Sequence, residues 1–163
     1  MTRSIEPATV SMSERLAALH AELFAKPWSA DTFREILRDT NTSGLMTLPN
    51  ASPPAGQGSN SSETLLGFAF ARIAADEAEI LTVGVSKAHQ SLGIGKALLL
   101  ELVRRVKERG ATRLFLEVAD DNASDLRLYR NVGFKIVGTR PRYYARDDRK
   151  RVDAQIMART LNE

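Results

Sequence analysis

Two places in this chain carry residues suited to chemistry. Gln90, Gly93 and Gly95 punctuate the stretch Gln90-Ser91-Leu92-Gly93-Ile94-Gly95-Lys96-Ala97, and Glu117 stands between Leu116 and Val118 in an otherwise apolar run. The first pattern suits an anion. It lies between an apolar strand pattern, Ile80 to Val85, and a long helical one, and a helix start offers unpartnered amides together with the positive end of the macrodipole. Glycines at 93 and 95 let a phosphate approach the backbone closely. Glu117 suits proton transfer, because a carboxylate among apolar neighbours is costly unless paired or functional. Partial burial moves such a group up from about 4.3 toward neutrality, where a general base for an amine works. A strand-end glutamate bonded to a neighbouring arginine is the competing explanation.

Two phosphate-binding loops can be tested against the first stretch. The P-loop, G-x-x-x-x-G-K-[ST], fails twice: Gln90 occupies its first glycine and Ala97 follows Lys96. The dinucleotide fingerprint G-x-G-x-x-[GA] matches Gly93 and Gly95 but meets Leu98 where a small residue belongs. Glu117 then stands at about the distance expected of a ribose-binding acid, which keeps a dinucleotide-binding oxidoreductase as a rival. A strand-to-helix turn with glycines for geometry alone is the bland alternative.

The elements that must position these residues follow from periodicity. Ile94, Leu98, Leu99, Leu102, Val103 and Val106 fall on one helical face, so a helix begins at or near Gly93 and is stopped by Gly110. Leu65 to Ile73 and Glu79 to Val85 predict two antiparallel strands joined by Ala74 to Ala78, too short for a parallel crossover. Arg113 to Val118 predicts a strand apolar on both faces, hence a βαβ unit over 80–118. Upstream, Ser4 to Glu6 predicts an edge strand. Leu16, Leu19, Leu23 and Phe24 mark a helix capped by Ser11 or Ser13, and Ser29 caps a second helix carrying Phe33, Ile36 and Leu37. Ser43 to Leu48 predicts a strand, and 49–63 a flexible polar insertion within a hairpin, since it holds no large apolar residue. Downstream, Asp121-Asn122 caps a short helix with Leu126, Tyr129 and Val132 inward, closed by Gly133. Phe134 to Gly138 and Gln155 to Thr160 predict two last strands around a basic stretch that contains Tyr143 and Tyr144.

Composition narrows the classes. At 163 residues the chain reads as one domain, 1–163, large enough for a core without staples. A net charge of +3 suits an anionic cofactor and falls short of a dedicated nucleic-acid binder, so no direct nucleic-acid partner is expected. With no cysteine there is no thiol nucleophile, and acyl transfer here would be direct attack. His20 and His89 lack metal-ligand spacing and read as structural or surface residues, so no metal is expected. The N-terminal residues lack an apolar signal-peptide core and no apolar run reaches membrane-spanning length, which predicts a cytoplasmic protein with no membrane partner.

Gln90-x-x-Gly93-x-Gly95 fits Q/R-x-x-G-x-G/A and resembles the acyl-CoA loop of the GCN5-related N-acetyltransferase (GNAT) superfamily. Leu116-Glu117-Val118, Asn122 and Leu128-Tyr129-Arg130-Asn131-Val132-Gly133-Phe134 extend the resemblance over 78–134. More narrowly, Pro27-Trp28-Ser29, Pro141-Arg142-Tyr143-Tyr144 and Asp153-Ala154-Gln155-Ile156-Met157 resemble the RimI type, bacterial enzymes that acetylate the N-terminal alanine of a small-subunit ribosomal protein. The resemblance implies an α/β fold, a mixed central sheet with helices on both faces, and acetyl-CoA as cosubstrate. It implies a cofactor site of Leu81, Val83, Val85, Gln90, Leu92, Gly93, Ile94, Gly95, Lys96 and Asn122. Main-chain groups over 81–85 would pair with the pantetheine arm and help bind the oxyanion. Glu117 becomes the general base, acting through a water, and Tyr129 the group facing the departing thiolate. A phenol near pKa 10 lies about 1.5 units above a thiol near 8.5, so Tyr129 acts chiefly as a hydrogen-bond donor. Trp28, Tyr143 and Tyr144 would line the acceptor pocket, against the simpler reading of Trp28 as a hinge-packing aromatic. An α-amine near 7.7–8.0 costs roughly 3 kcal/mol less to deprotonate than a lysine near 10.4, which favours a protein N-terminus, such as that of a ribosomal protein, as acceptor.

Overall fold

The structure is a computed structural model that describes residues 3–50, 64–146 and 150–162. The chain runs through β1 (Arg3–Pro7), a 3-10 turn (Val10–Met12), α1 (Ser13–Leu23), α2 (Ala30–Arg38), β2 (Thr42–Pro49), β3 (Gly67–Ala74) and β4 (Glu77–Val85). After a second 3-10 turn (Lys87–His89) come α3 (Ile94–Glu108), β5 (Arg113–Ala119), α4 (Ala123–Asn131), β6 (Lys135–Ala145) and β7 (Arg151–Thr160). One seven-stranded sheet takes the order β1-β2-β3-β4-β5-β7-β6. Only β4 and β5 pair in parallel, through the α3 crossover; the other neighbours are antiparallel.

Both faces of the sheet's centre are buried because β3 is apolar at every position of Phe68-Ala69-Phe70-Ala71. Phe68 and Phe70 join Leu16, Leu19, Phe33 and Ile36 beneath α1 and α2, whereas Ala69 and Ala71 join Leu98, Leu99, Leu102 and Leu126 beneath α3 and α4. The α1–α2 cluster takes no residue from β5, β6 or β7, which leaves that side of β5 accessible.

The β3–β4 ladder contains a bulge. Phe70 opposes Thr82 and Ala71 opposes Ile80, so Leu81 is the extra residue. Its effect is to break the alternation: Ile80 and Val83 pack with the α3 cluster, while Leu81 packs beneath α1 and Thr82 reaches a side chain of α1.

Several expectations need correction. Neither Ser11 nor Ser13 caps α1: a 3-10 turn precedes the helix, and Ser13, 1% exposed, donates its hydroxyl to the Val10 carbonyl. Phe24 lies just beyond α1 and is 38% exposed. The β3–β4 turn shortens to Ala75-Asp76, with Ala75 at φ 56°. The basic stretch is largely strand, since β6 continues to Ala145. Ser29 does cap α2, accepting from the Thr32 amide at 3.1 Å. The insertion expected at 49–63 lies, from 51 onward, outside the described residues. No helix among the described residues is long and apolar enough to cross a membrane.

Candidate active site

The site exists because two parallel strands part. β4 and β5 are in register only over Glu77↔Arg113, Ala78↔Leu114 and Glu79↔Phe115. Beyond that point β5 stays paired with β7 as far as Ala119, while the β5-facing edge of β4 runs on without a strand partner among the described residues. A cavity of about 310 Å³ opens in the wedge, and Leu81, Val83, Glu117, Asn122, Tyr129 and Tyr144 line it. A second cavity, about 360 Å³, opens on the side that α1 and α2 leave uncovered and shares Leu116 and Glu117 with the first. Glu117 therefore stands where the two meet.

Glu117 has a partner. Arg140 from β6 approaches its Oε1 at 2.8 Å, with the carboxylate side chain 21% exposed. The arginine-bonded explanation is thus the observed geometry. Arg140 also lies over the Tyr143 ring, 5.6 Å from its centroid.

Tyr129 is 8% exposed, with its ring edge-on to Phe134 at 6.0 Å. Burial, then the charge of Asp125, pushes its phenol above the ordinary value, so it stays protonated and can donate. Tyr144 is pushed up by burial and then by the Glu117 charge. Arg146 forks onto Asp121 at 2.6 and 2.8 Å, tying the β6 end to the β5–α4 turn, and the same contact lowers the Asp121 carboxyl.

Asn122 is the N-cap of α4: its Oδ1 accepts from the Asp125 amide at 3.1 Å, and its Nδ2 donates to Asp125 Oδ2 at 2.9 Å. Burial raises the Asp125 carboxyl despite that bond.

The anion-cradle stretch forms as expected at the mouth of α3. Gly93 is the N-cap with φ +81°, and the helix's own bonding begins with the Ala97 amide on the Gly93 carbonyl at 3.1 Å. Amides ahead of Ala97 are the unpaired donors of a helix start. The two glycines differ in purpose. Gly93 has open space around a would-be Cβ and is required by its left-handed backbone, whereas a Cβ on Gly95 would meet Leu128 Cδ2 at 3.3 Å and Val85 Cγ2 at 3.6 Å. Gly95 thus lets α3 pack against α4 and β4, a role the spacing alone did not reveal. The Gln90 side chain donates to the Val85 carbonyl at 3.1 Å and so braces the loop. Leu92 is 56% exposed, and its carbonyl accepts from Arg3 at 3.0 Å.

Two expected acceptor residues do not line the wedge. Trp28 packs on His20, with ring centroids 5.1 Å apart, as the hinge-packing reading has it; Tyr143 is 47% exposed and edge-on to Tyr144. Phe24, Thr82, Asp125 and Arg146 line it without having been singled out. Only Asp125 carried a signal, as the third residue after an N-cap asparagine. No cluster that could hold a metal occurs among the described residues.

The chain that builds this parted strand pair and glycine-started helix is similar in sequence and in fold to known proteins. The family model for "Acetyltransferase (GNAT) family" matches residues 13–134, and the chain belongs to that family. It is 36% identical over 155 residues to N-alpha-acetyltransferase RimI of Mycobacterium tuberculosis, covering 88% of this chain and 89% of the relative. It is 32% identical over 144 residues to the [ribosomal protein bS18]-alanine N-acetyltransferase of Escherichia coli K12, covering 87% and 88%. The crystal structure of the ribosomal-protein-S18-alanine N-acetyltransferase from Escherichia coli superposes with a TM-score of 0.83 at 26% identity, covering 99% of this chain and 96% of that one. The dinucleotide-binding rival is thereby overturned: a single mixed sheet takes the place of a doubly wound parallel one.

Proposed function

We propose that this chain is an acetyl-CoA-dependent N-acetyltransferase that transfers acetyl directly to the N-terminal α-amino group of a protein, a ribosomal protein being the acceptor class its relatives' names supply. The observation that carries this reading is the wedge between β4 and β5, which brings Glu117 and Tyr129 to one cavity.

The residues present fit the cosubstrate. Amides of Gly93, Ile94, Gly95 and Lys96 offer donors to its diphosphate, with Leu92 and Gln90 shaping the loop. The edge of β4 over Leu81, Val83 and Val85, which has no strand partner among the described residues, offers main-chain groups to the pantetheine arm and a donor to the oxygen that gains charge, although the Val85 carbonyl already accepts from Gln90. Asn122 borders the same wedge from the start of α4.

Glu117 takes a proton from the incoming ammonium through a water, freeing the lone pair that attacks the thioester carbonyl. Arg140 holds that carboxylate in place through its contact with Oε1. As the carbon–sulfur bond breaks, the sulfur leaves as the thiolate and accepts a hydrogen bond from Tyr129, which keeps its proton; the thiolate is protonated from solvent after release. The acceptor reaches Glu117 through the wedge between Phe24 and Tyr144; Tyr143 packs edge-on to Tyr144, and Trp28 stacks on His20, which in turn stacks on Phe24. A cytoplasmic location suits both acetyl-CoA and a ribosomal acceptor.

The test is an acetylation assay on a peptide array comparing free N-termini, N-blocked peptides containing lysine, and small amines. Acetylation of the free N-termini is expected. Preference for the blocked peptides would remove the N-terminal reading and leave the acetyltransferase one standing.

A further inference from the structure

His20 is 2% exposed, yet it touches two residues that line the wedge, Phe24 and Thr82. Its ring stacks on Phe24 at 4.2 Å and on Trp28 at 5.1 Å, and Phe33 and Phe68 close the cage at 5.6 and 5.7 Å. The Trp28 amide donates to Nδ1 at 3.1 Å. Nδ1 is therefore the unprotonated nitrogen, and the ring proton sits on Nε2, 3.2 Å from the Thr82 hydroxyl oxygen, to which it donates. Thr82 points toward α1 only because the Leu81 bulge turns two successive residues to that face. Phe24 and Thr82 both line the wedge beside Glu117.

We propose that His20 is a positioning residue for the acceptor: it clamps the connection between α1 and α2 to the bulge of β4 and so fixes Phe24 as the acceptor-side wall of the wedge. The proposal rests on the transferase reading above. A packing role alone would need only an aromatic ring at this position, whereas the clamp needs the bond that Nδ1 accepts from the loop. The diphosphate cradle lies at the start of α3, away from the residues that His20 bonds, whereas the pantetheine edge of β4 borders the bulge.

Two variants of the full chain separate these roles. His20→Phe keeps the ring stack and removes both hydrogen bonds; His20→Asn puts its Oδ1 near the place of Nδ1 and keeps the loop bond. Steady-state kinetics with acetyl-CoA and a hexapeptide bearing a free N-terminal alanine should show the peptide KM raised about tenfold in His20→Phe, the equivalent of one lost hydrogen bond with its donor left unpaired. His20→Asn should stay within about twofold of the parent in both KM values, and in His20→Phe the KM for acetyl-CoA should rise by less than about threefold, well short of the peptide KM. Trp28, the only tryptophan, gives a readout independent of turnover: acrylamide quenching should rise in His20→Phe and not in His20→Asn. Parent-like peptide KM and quenching in His20→Phe would overturn the clamp, as would a parallel rise in the KM for acetyl-CoA. A parent protein that acetylates no amine would mean that the transferase reading had failed, and the quenching comparison would still decide the clamp.

Discussion

Glu117 illustrates how a residue can be singled out by its sequence context while its environment stays hidden. A carboxylate between Leu116 and Val118 announces an exception to burial rules, but its partner Arg140 lies 23 positions on, in a strand that pairs with β7 and not with β5. If the pair holds the base ready, Glu117→Gln should lower kcat by about a hundredfold or more while leaving the dissociation constant for CoA unchanged, as measured by turnover and calorimetry. Tyr129 argues at the same scale. Because burial pushes its phenol up, its contribution is a donated hydrogen bond, and Tyr129→Phe should cost roughly tenfold in kcat with little change in KM. Gly93, at φ +81°, tests the cradle: Gly93→Ala forces a side chain into the left-handed region at roughly 1–2 kcal/mol, and a raised KM for acetyl-CoA with an unmoved peptide KM is expected.

Among elements, α3 was the most legible, since its six buried positions repeat at helical spacing and Gly93 and Gly110 bound it. Both α3 and α4 end with the same pair of bonds around a glycine: Ala111 to Val106 with Gly110 to Lys107, and Phe134 to Tyr129 with Gly133 to Arg130. The far half of β6 was not legible. It is an edge strand exposed on both faces from Arg140 to Tyr143, so it shows no alternation of apolar and polar residues to read. The wedge was invisible for a different reason, being an absence of pairing between strands whose residues look fit to pair. Ser29 offers an element-scale check: Ser29→Ala removes the bond to the Thr32 amide and should lower stability by about 1 kcal/mol in urea unfolding without altering either KM.

For the whole molecule, the buried neutral His20 couples stability to pH. Burial lowers its pKa from 6.5 to about 4. Between those values the unfolded chain binds a proton that the folded one does not, so stability is fully present above about pH 6.5 and falls as pH drops toward 4. For a single such group the loss from pH 7 to pH 5 is about 2 kcal/mol, and the urea midpoint of His20→Asn should depend less on pH than that of the parent over this window. The same arrangement links fold to function, because the cage around His20, the bulge of β4 and the parting of β4 from β5 all converge on Glu117. The central claim is that the start of α3 grips the diphosphate of CoA and the wedge then delivers its sulfur between Glu117 and Tyr129. A crystal structure of the chain with CoA tests this most directly. The account predicts diphosphate oxygens within hydrogen-bond reach of the 93–96 amides and the sulfur in the wedge; a diphosphate bound away from the start of α3, or a sulfur outside the wedge, would contradict it.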